Sequence, residues 1–231
     1  VLSMSEGFRK GLLDIGRDDR AIVLRPGARL TGASLITREE VMTVMDAVGI
    51  HTTAEGKPTA LGDFYALVPV TKKKDGYDAM LTLYGMTEQG FEVSNDFKIV
   101  EGHGFQRAVH EVIVGRSAQQ QFHGLEVGSV VSMPQGDWKI VGVFTAPGPL
   151  AESMLIGDAE TLMSAFQRNT FATVQVQLNS AQAFDRFKAS ITSNPTLTVD
   201  VWRQKDFLAE SSKQLVNLLG FVTATLGTIM A

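Results

Sequence analysis

Apolar and polar positions along the chain predict a helix, then short strands, then a second run of strand and helix. Residues 5–15 carry Phe8, Leu12, Leu13 and Ile15 toward one side, with Glu6, Arg9, Lys10 and Asp14 on the other. That spacing predicts an amphipathic helix. Ala21-Ile22-Val23-Leu24 reads as a strand stopped by Arg25-Pro26-Gly27. Thr37-Arg38-Glu39-Glu40 has the form of a capping box, in which the Thr37 hydroxyl takes a free amide and Glu40 reaches back. The helix it opens is expected to turn Val41, Val44, Met45 and Val48 inward and to end near Gly49. Phe64 to Thr71 and Tyr77 to Leu83 are rich in β-branched and aromatic residues and flank Lys72 to Gly76, so they are expected to form a hairpin.

From about Gly85 to Thr145 glycines separate short apolar runs. Val109 to Val114 is expected as a strand, Ser117 to Phe122 as a helical turn or two, and Ser129–Met133 with Trp138–Phe144 as strands around Pro134-Gln135-Gly136-Asp137. Asp158 is a suitable N-cap for a helix through Phe166. Ala172 to Leu178 alternates as a strand, Ser180 is placed to cap a helix over 181–191, and Thr196 to Trp202 reads as a strand. Strand and helix thus return after the β-rich stretch. The expected fold class is α+β, one unit interrupted by a β-rich insertion.

The last part differs from the rest. A helix from Gln204 places Phe207, Leu208, Leu215 and Leu218 on one side, and no charged residue follows Lys213. Gly220, Gly227 and the threonines suit a membrane helix. Residues 215–231 fall just short of the roughly 20 that cross a bilayer. The expectation is the start of a transmembrane helix, the other reading being a buried core helix. The first residues, Val1-Leu2-Ser3-Met4, show neither an initiator methionine nor a signal-peptide pattern.

Composition narrows the function. A net charge of −4 without a long basic run excludes nucleic acid as an expected partner. Lys72-Lys73-Lys74, followed by Asp75-Gly76, reads as a solvated hairpin tip. The absence of cysteine removes disulfides, thiolate metal sites and cysteine nucleophiles. Gly102-His103-Gly104 opens like a dinucleotide loop, yet Arg107 stands where its third glycine belongs. The sequence has neither a phosphate loop nor a Gly-x-Ser-x-Gly elbow. His51, His103, His110 and His123 lack metal-ligand spacing. Glu39-Glu40 and Asp18-Asp19 suit capping and solvation, while Trp138 and Trp202 suit packing or a surface anchor. No catalytic, cofactor-binding or metal-binding residue is therefore expected, and the chain reads as non-catalytic with no cofactor.

One stretch resembles a known family. It runs Leu81-Thr82-Leu83-Tyr84-Gly85-Met86, Phe91-Glu92-Val93 and Ile99-Val100-Glu101-Gly102-His103-Gly104-Phe105. Glu111-Val112-Ile113-Val114-Gly115, Ala118, Phe122, Gly128 and Trp138-Lys139-Ile140-Val141-Gly142-Val143-Phe144 follow. In order and spacing this is similar to the periplasmic core domain of ABC-transporter permeases of the MacB, LolC/LolE and FtsX type. His103 departs from the arginine common in that family.

The resemblance implies a split α/β porter-like lobe over about 20–85 and 168–203, with a small β-rich insert lobe over 86–167. It implies stalks at both ends, residues 1–19 and 204–231, the second running into a transmembrane helix. Phe8, Leu12, Phe207 and Leu208 are the candidate residues of the packed stalk seam. The implied place is the periplasmic side of the inner membrane. The implied role is to pass ATP-driven movement outward, for export, lipoprotein release or partner activation. ATP would be hydrolysed by a cytoplasmic ABC ATPase, separate or fused. A second permease subunit is an implied partner, with a periplasmic adaptor, a lipoprotein or another extracytoplasmic protein as further candidates. The alternative is the ligand-binding sensor domain of a membrane receptor, and a metal-dependent enzyme stands third.

Overall fold

The computed structural model describes residues 16–28, 34–87, 90, 97–133, 136–147, 151–211 and 213. The helix expected over 5–15, with Phe8 and Leu12, and the apolar tail beyond Lys213 lie outside the described residues.

The first strands and helix follow the sequence pattern. Strand β1 is Arg20–Leu24 and the short β2 is Ile36–Thr37. Helix α1, Arg38–Met45, begins with the expected capping box: Glu40 N–H donates to Thr37 Oγ1 and Thr37 N–H donates to Glu40. Val41 and Val44 are buried, but Val48 is 53% exposed. The reason is that α1 stops at Met45, so Val48 lies past the last turn and its helical register no longer applies. Strand β3, Ala60–Thr71, and strand β4, Asp78–Met86, form the expected hairpin, each longer than the apolar run suggested.

Next come β5 (Lys98–Gly102), β6 (Glu111–Gly115), α2 (Arg116–Gln121), β7 (Val130–Met133), β8 (Gly136–Thr145) and β9 (Met154–Asp158). Helix α3, Ala159–Ala165, is capped by Asp158, whose carboxylate accepts from Thr161 N–H. After β10 (Thr170–Phe171) and β11 (Thr173–Gln177) the chain makes a 3₁₀ turn at Ala181–Ala183 and then helix α4, Phe184–Thr192. Ser180 does not cap with its side chain. The 3₁₀ turn uses its backbone carbonyl instead, which accepts from Ala183 N–H. Strand β12 is only Asp200–Arg203, shorter than expected, because Asn194 ties down Thr196 in a local turn. Residues 204–211 form helix α5. Among the described residues, no helix is long and apolar enough to cross a membrane.

Ten strands among the described residues join one sheet, with the path β12-β1-β11-β3-β4-β9-β6-β8-β5 and β7 paired to β8. Its first four strands, β12-β1-β11-β3, are antiparallel neighbours. In chain order they lie fourth, first, third, second, the split β-α-β arrangement. Strand β3 joins the two halves of the path. Residues 60–63 pair with β11, and residues 64–71 pair with β4. Strand β4 in turn pairs in parallel with β9, from Thr82↔Met154 to Met86↔Asp158.

Successive side chains point to opposite faces of a strand, and both faces of this sheet are covered. The larger core gathers Val23, Phe64, Val68, Leu83, Val114, Trp138, Leu155, Val174 and Phe187, together with residues of α1, α3 and α4. On the other face Ile22 and Leu24 pack on Phe207 of α5, and Tyr84, Phe105, Ile113, Phe144 and Ile156 form a second cluster. Between these two clusters lies a strip of polar residues.

Candidate functional site

The polar strip is built by strand register. On the second face β11 presents Thr173 and Gln175, β3 presents Asp63 and Tyr65, and β4 presents Tyr84. Pairing sets Thr173 beside Asp63 and Tyr65 beside Tyr84. Asp63 is the last residue of β3 to pair with β11, so its carboxylate stands where the strand changes partner. It is fully buried. Tyr84 hydroxyl donates to Asp63 Oδ1 at 2.6 Å, and Thr173 hydroxyl donates to Asp63 Oδ2 at 2.9 Å. Burial of an unpaired carboxylate would be prohibitive. Even with these donors, loss of water pushes the Asp63 carboxyl up to about 6, and the bonds from Tyr84 and Thr173, with the nearby Gln175 amide, only partly offset it. Burial also raises the Tyr84 phenol well above its ordinary value, and the neighbouring Asp63 charge adds to the effect.

The bonds continue toward α5. Gln175 Nε2 donates to the Tyr84 hydroxyl oxygen at 3.2 Å, and Gln204 Nε2 lies 3.5 Å from Gln175 Oε1. Arg17 N–H donates to Gln204 Oε1 at 3.1 Å. Gln204 is buried at the start of α5. One hydrogen-bonded chain therefore runs from the partner change in β3, through β4 and β11, to the first residue of α5 and to the segment leading into β1. The Tyr65 ring stacks on Tyr84 with centroids 4.9 Å apart. Beside the chain is a cavity of about 210 Å³, with Leu61, Met86, Phe97 and Met154 among its apolar walls and Asp63, Gln175, Gln204 and Arg20 among its polar ones.

The two ends of the described core meet next to this chain. A side chain at Gly16 would start 2.8 Å from Lys205 Cα, so only glycine permits that approach. Lys205 Nζ bonds Asp18 at 3.2 Å, and Arg203 donates to the Asp18 carbonyl at 3.3 Å. Residues 16–18 and 203–205 are thus held side by side.

Of the candidate stalk residues, Phe207 is buried at 6% exposure against Ile22 and Leu24, with its ring 6.5 Å from that of Trp202. Leu208, one position on, is half-buried. The hairpin tip at Lys72–Lys74 is not simply solvated. Lys73 N–H donates to the Gln121 carbonyl, its ammonium bonds Gln119 O and Glu126, and His123 N–H donates to Thr71 O. Tip and α2 lie some fifty residues apart in sequence, so only the fold brings them together.

The other chemical candidates fall apart in space. His51 lies against Thr59, His103 against its neighbour Gly104, and His110 stacks on Trp138 with ring centroids 4.5 Å apart. Among the described residues no three of His, Asp and Glu are grouped to hold a metal ion. In the Gly102-His103-Gly104 stretch the first glycine serves a close chain crossing. Gly102, at φ +70°, would place a Cβ 2.1 Å from Val141 O, and a Cβ at Gly142 would meet His103 O at 2.2 Å. Two chain segments cross there with no room for side chains. Sequence reading missed Asp63 altogether, because it set the strand start at Phe64.

The family model described as MacB-like periplasmic core domain matches residues 1–194. No curated protein matches. Among solved structures, the chain is similar to the periplasmic region of MacB from Actinobacillus actinomycetemcomitans, with TM-score 0.59 and 14% identity over 86% of this chain and 92% of that one. It is similar to the extracellular domain of the noncanonic ABC-type transporter YknZ from Gram-positive bacteria, with TM-score 0.58 and 14% identity over 79% and 99%. A domain of a putative permease protein from Porphyromonas gingivalis gives TM-score 0.52 and 11% identity over 80% and 88%. At these identities the structural likenesses speak for the fold.

Proposed function

Since the chain belongs to the MacB-like periplasmic core domains, we propose that it carries ATP-driven movement from the membrane to a substrate or partner protein on the outer side. The observation that supports this reading most is the joint between residues 16–18 and 203–205. Stalks leaving from that joint would enter and leave the domain at one place, so a change in their relative position would act on β1, β12 and α5 together. In this reading the porter-like lobe is 20–85 with 168–203, the insert lobe is 86–167, and the stalks are 1–19 and 204–231. The stalk seam is Phe8, Leu12, Phe207 and Leu208, with Phe207 anchoring α5 on β1. The expected partners are a cytoplasmic ABC ATPase and a second permease subunit. An adaptor, a lipoprotein or another extracytoplasmic protein would receive the movement. The domain would sit on the periplasmic side of the inner membrane and perform no chemistry of its own.

The sensor reading draws on the cavity beside Asp63, which has the apolar walls and convergent polar groups that a ligand site needs. Asp63, Tyr84, Gln175 and Gln204, however, bond one another, as a strut between elements requires.

The test is a staple across the joint. Asp18→Cys with Lys205→Cys, in the full-length permease with its ATPase, places two thiols where the native side chains touch. Disulfide formation demands Cα atoms within about 7 Å. The expected result is crosslinking whose extent differs with and without ATP, and loss of transport or partner activation on locking, restored by reduction. Equal crosslinking in every nucleotide state, with full activity of the locked protein, would make the joint a passive tether and end the reading.

A further inference from the structure

We propose that Asp63 is a proton-binding site whose occupancy sets the direction of the hydrogen-bond chain Asp63–Tyr84–Gln175–Gln204–Arg17, so that one proton taken up between the strands is felt at the start of α5. The inference stands on the chemistry of this chain alone and holds whether or not the domain transmits movement.

The argument begins with donors and acceptors. As a carboxylate Asp63 only accepts, and both its oxygens are taken, by Tyr84 and Thr173 hydroxyls. A proton arriving from solvent makes one oxygen a donor, facing hydroxyl groups that were also donating. One of them must turn. If Thr173 turns, the change ends there. If Tyr84 becomes the acceptor, its own proton must go to another acceptor: passed to the Tyr65 hydroxyl, which also interacts with it, the change ends there, and passed to Gln175, already bonded to its oxygen, it travels on. Gln175 can accept only by presenting Oε1 in place of Nε2, and its Nε2 then faces Gln204. Gln204 must answer with its own oxygen, which is the atom now holding Arg17 N–H. The long 3.5 Å link between the two glutamines is the weakest bond of the chain and the natural place for the reversal.

The charged and titratable groups facing Asp63 are few. From β4 comes Tyr84, from β3 itself Tyr65, and from β1 Arg20, which lines the same cavity. Thr173 and Gln175 of β11 and Gln204 of α5 do not titrate. Burial places the Asp63 midpoint near 6, with no cation among its causes. The far end carries its own acids, Asp18 and Asp19. Asp19 is held below the ordinary carboxylate range by its hydrogen bond from Arg17, so its transition lies on the acid side of that of Asp63 and is distinguishable from it.

The experiment is a pH titration of the 231-residue chain by NMR, from the ordinary carboxylate value to neutrality. It follows the Asp63 carboxyl carbon, the Gln204 side-chain amide and the Arg17 backbone amide. In the native protein all three are expected to move with one midpoint near 6. In Tyr84→Phe the Asp63 carbon still titrates, while Gln204 and Arg17 stop following it. In Asp63→Asn, whose amide donates at all pH, Gln204 and Arg17 stay at the positions they hold at the acid end in the native protein. Should Asp63→Asn fail to fold, Tyr84→Phe and Gln175→Leu carry the test by the same loss of following. The proposal is overturned by an Asp63 transition that leaves Gln204 and Arg17 unmoved, by their following it equally in Tyr84→Phe, or by no Asp63 transition in this range.

Discussion

Asp63 shows how one residue can be decisive and still escape the sequence. Leu61-Gly62-Asp63 looks like the polar end of a turn before the apolar run from Phe64, and a charge inside a strand is unexpected. Its partners are hidden in the same way. Thr173-Val174-Gln175-Val176-Gln177 alternates as a strand with one face in water, yet Thr173 is buried and its face is covered. The pattern tells which residues share a face, and not whether another part of the chain covers that face. The consequence for stability follows from the raised carboxyl. The folded protein keeps the Asp63 proton up to about pH 6, while the unfolded chain releases it near 3.8. Stability from this group is therefore greatest at the acid end and falls as pH rises through that interval, by about 3 kcal/mol. Asp19 acts in the opposite sense, its stabilisation being lost as pH falls. Urea unfolding of the native protein and Asp63→Asn at a series of pH values separates the two. The native protein's stability relative to the variant is expected to decline toward neutrality, and a difference independent of pH would contradict the assignment.

At the scale of elements, what was legible was local. The Thr37–Glu40 capping box, the Asp158 cap and the antiparallel pairing of β7 with β8 all formed where neighbouring residues specify them. Ser180 and Val48 went differently, since a 3₁₀ turn displaced one cap and an early helix end freed the other side chain. The docking of the hairpin tip on α2 depends on residues far apart in sequence and left no pattern to read. The glycines flanking His103 were legible as the opening of a dinucleotide-like loop, and their crossing with Val141 and Gly142 was not. For α5, helical spacing marked Phe207 and Leu208 as equals, and the fold separates them. Phe207 is closed in by Ile22 and Leu24, whereas Leu208 is only half-buried. Phe207→Ala is expected to lower the unfolding free energy by about 3 kcal/mol, and Leu208→Ala by well under half as much, in urea titrations. Equal losses would show that α5 packs through both.

At the scale of the molecule, the sequence foretold an α+β unit interrupted by β-rich structure, and the chain belongs to the family its middle stretch resembled. The sequence did not show that the sheet runs on without a break. Strand β3 hands over from β11 to β4, and β4 pairs with β9 across 67 or more intervening residues that no local pattern spans. Parallel pairing at such separation leaves no turn to announce it. In the proposed function, the continuous sheet with a hydrogen-bonded chain at its hand-over point would carry a displacement from the joint at residues 16–18 and 203–205 to the distant strands. Spin labels at Glu55→Cys and Arg107→Cys, both exposed and on opposite sides of the hand-over, report that displacement, and the absence of native cysteine keeps the labelling of this chain specific. In the full-length permease turning over ATP, the distance distribution between the two labels is expected to change between the nucleotide-free and ATP-bound states. An identical distribution in both states, in a permease that still transports or activates its partner, would contradict the claim that this domain transmits the movement.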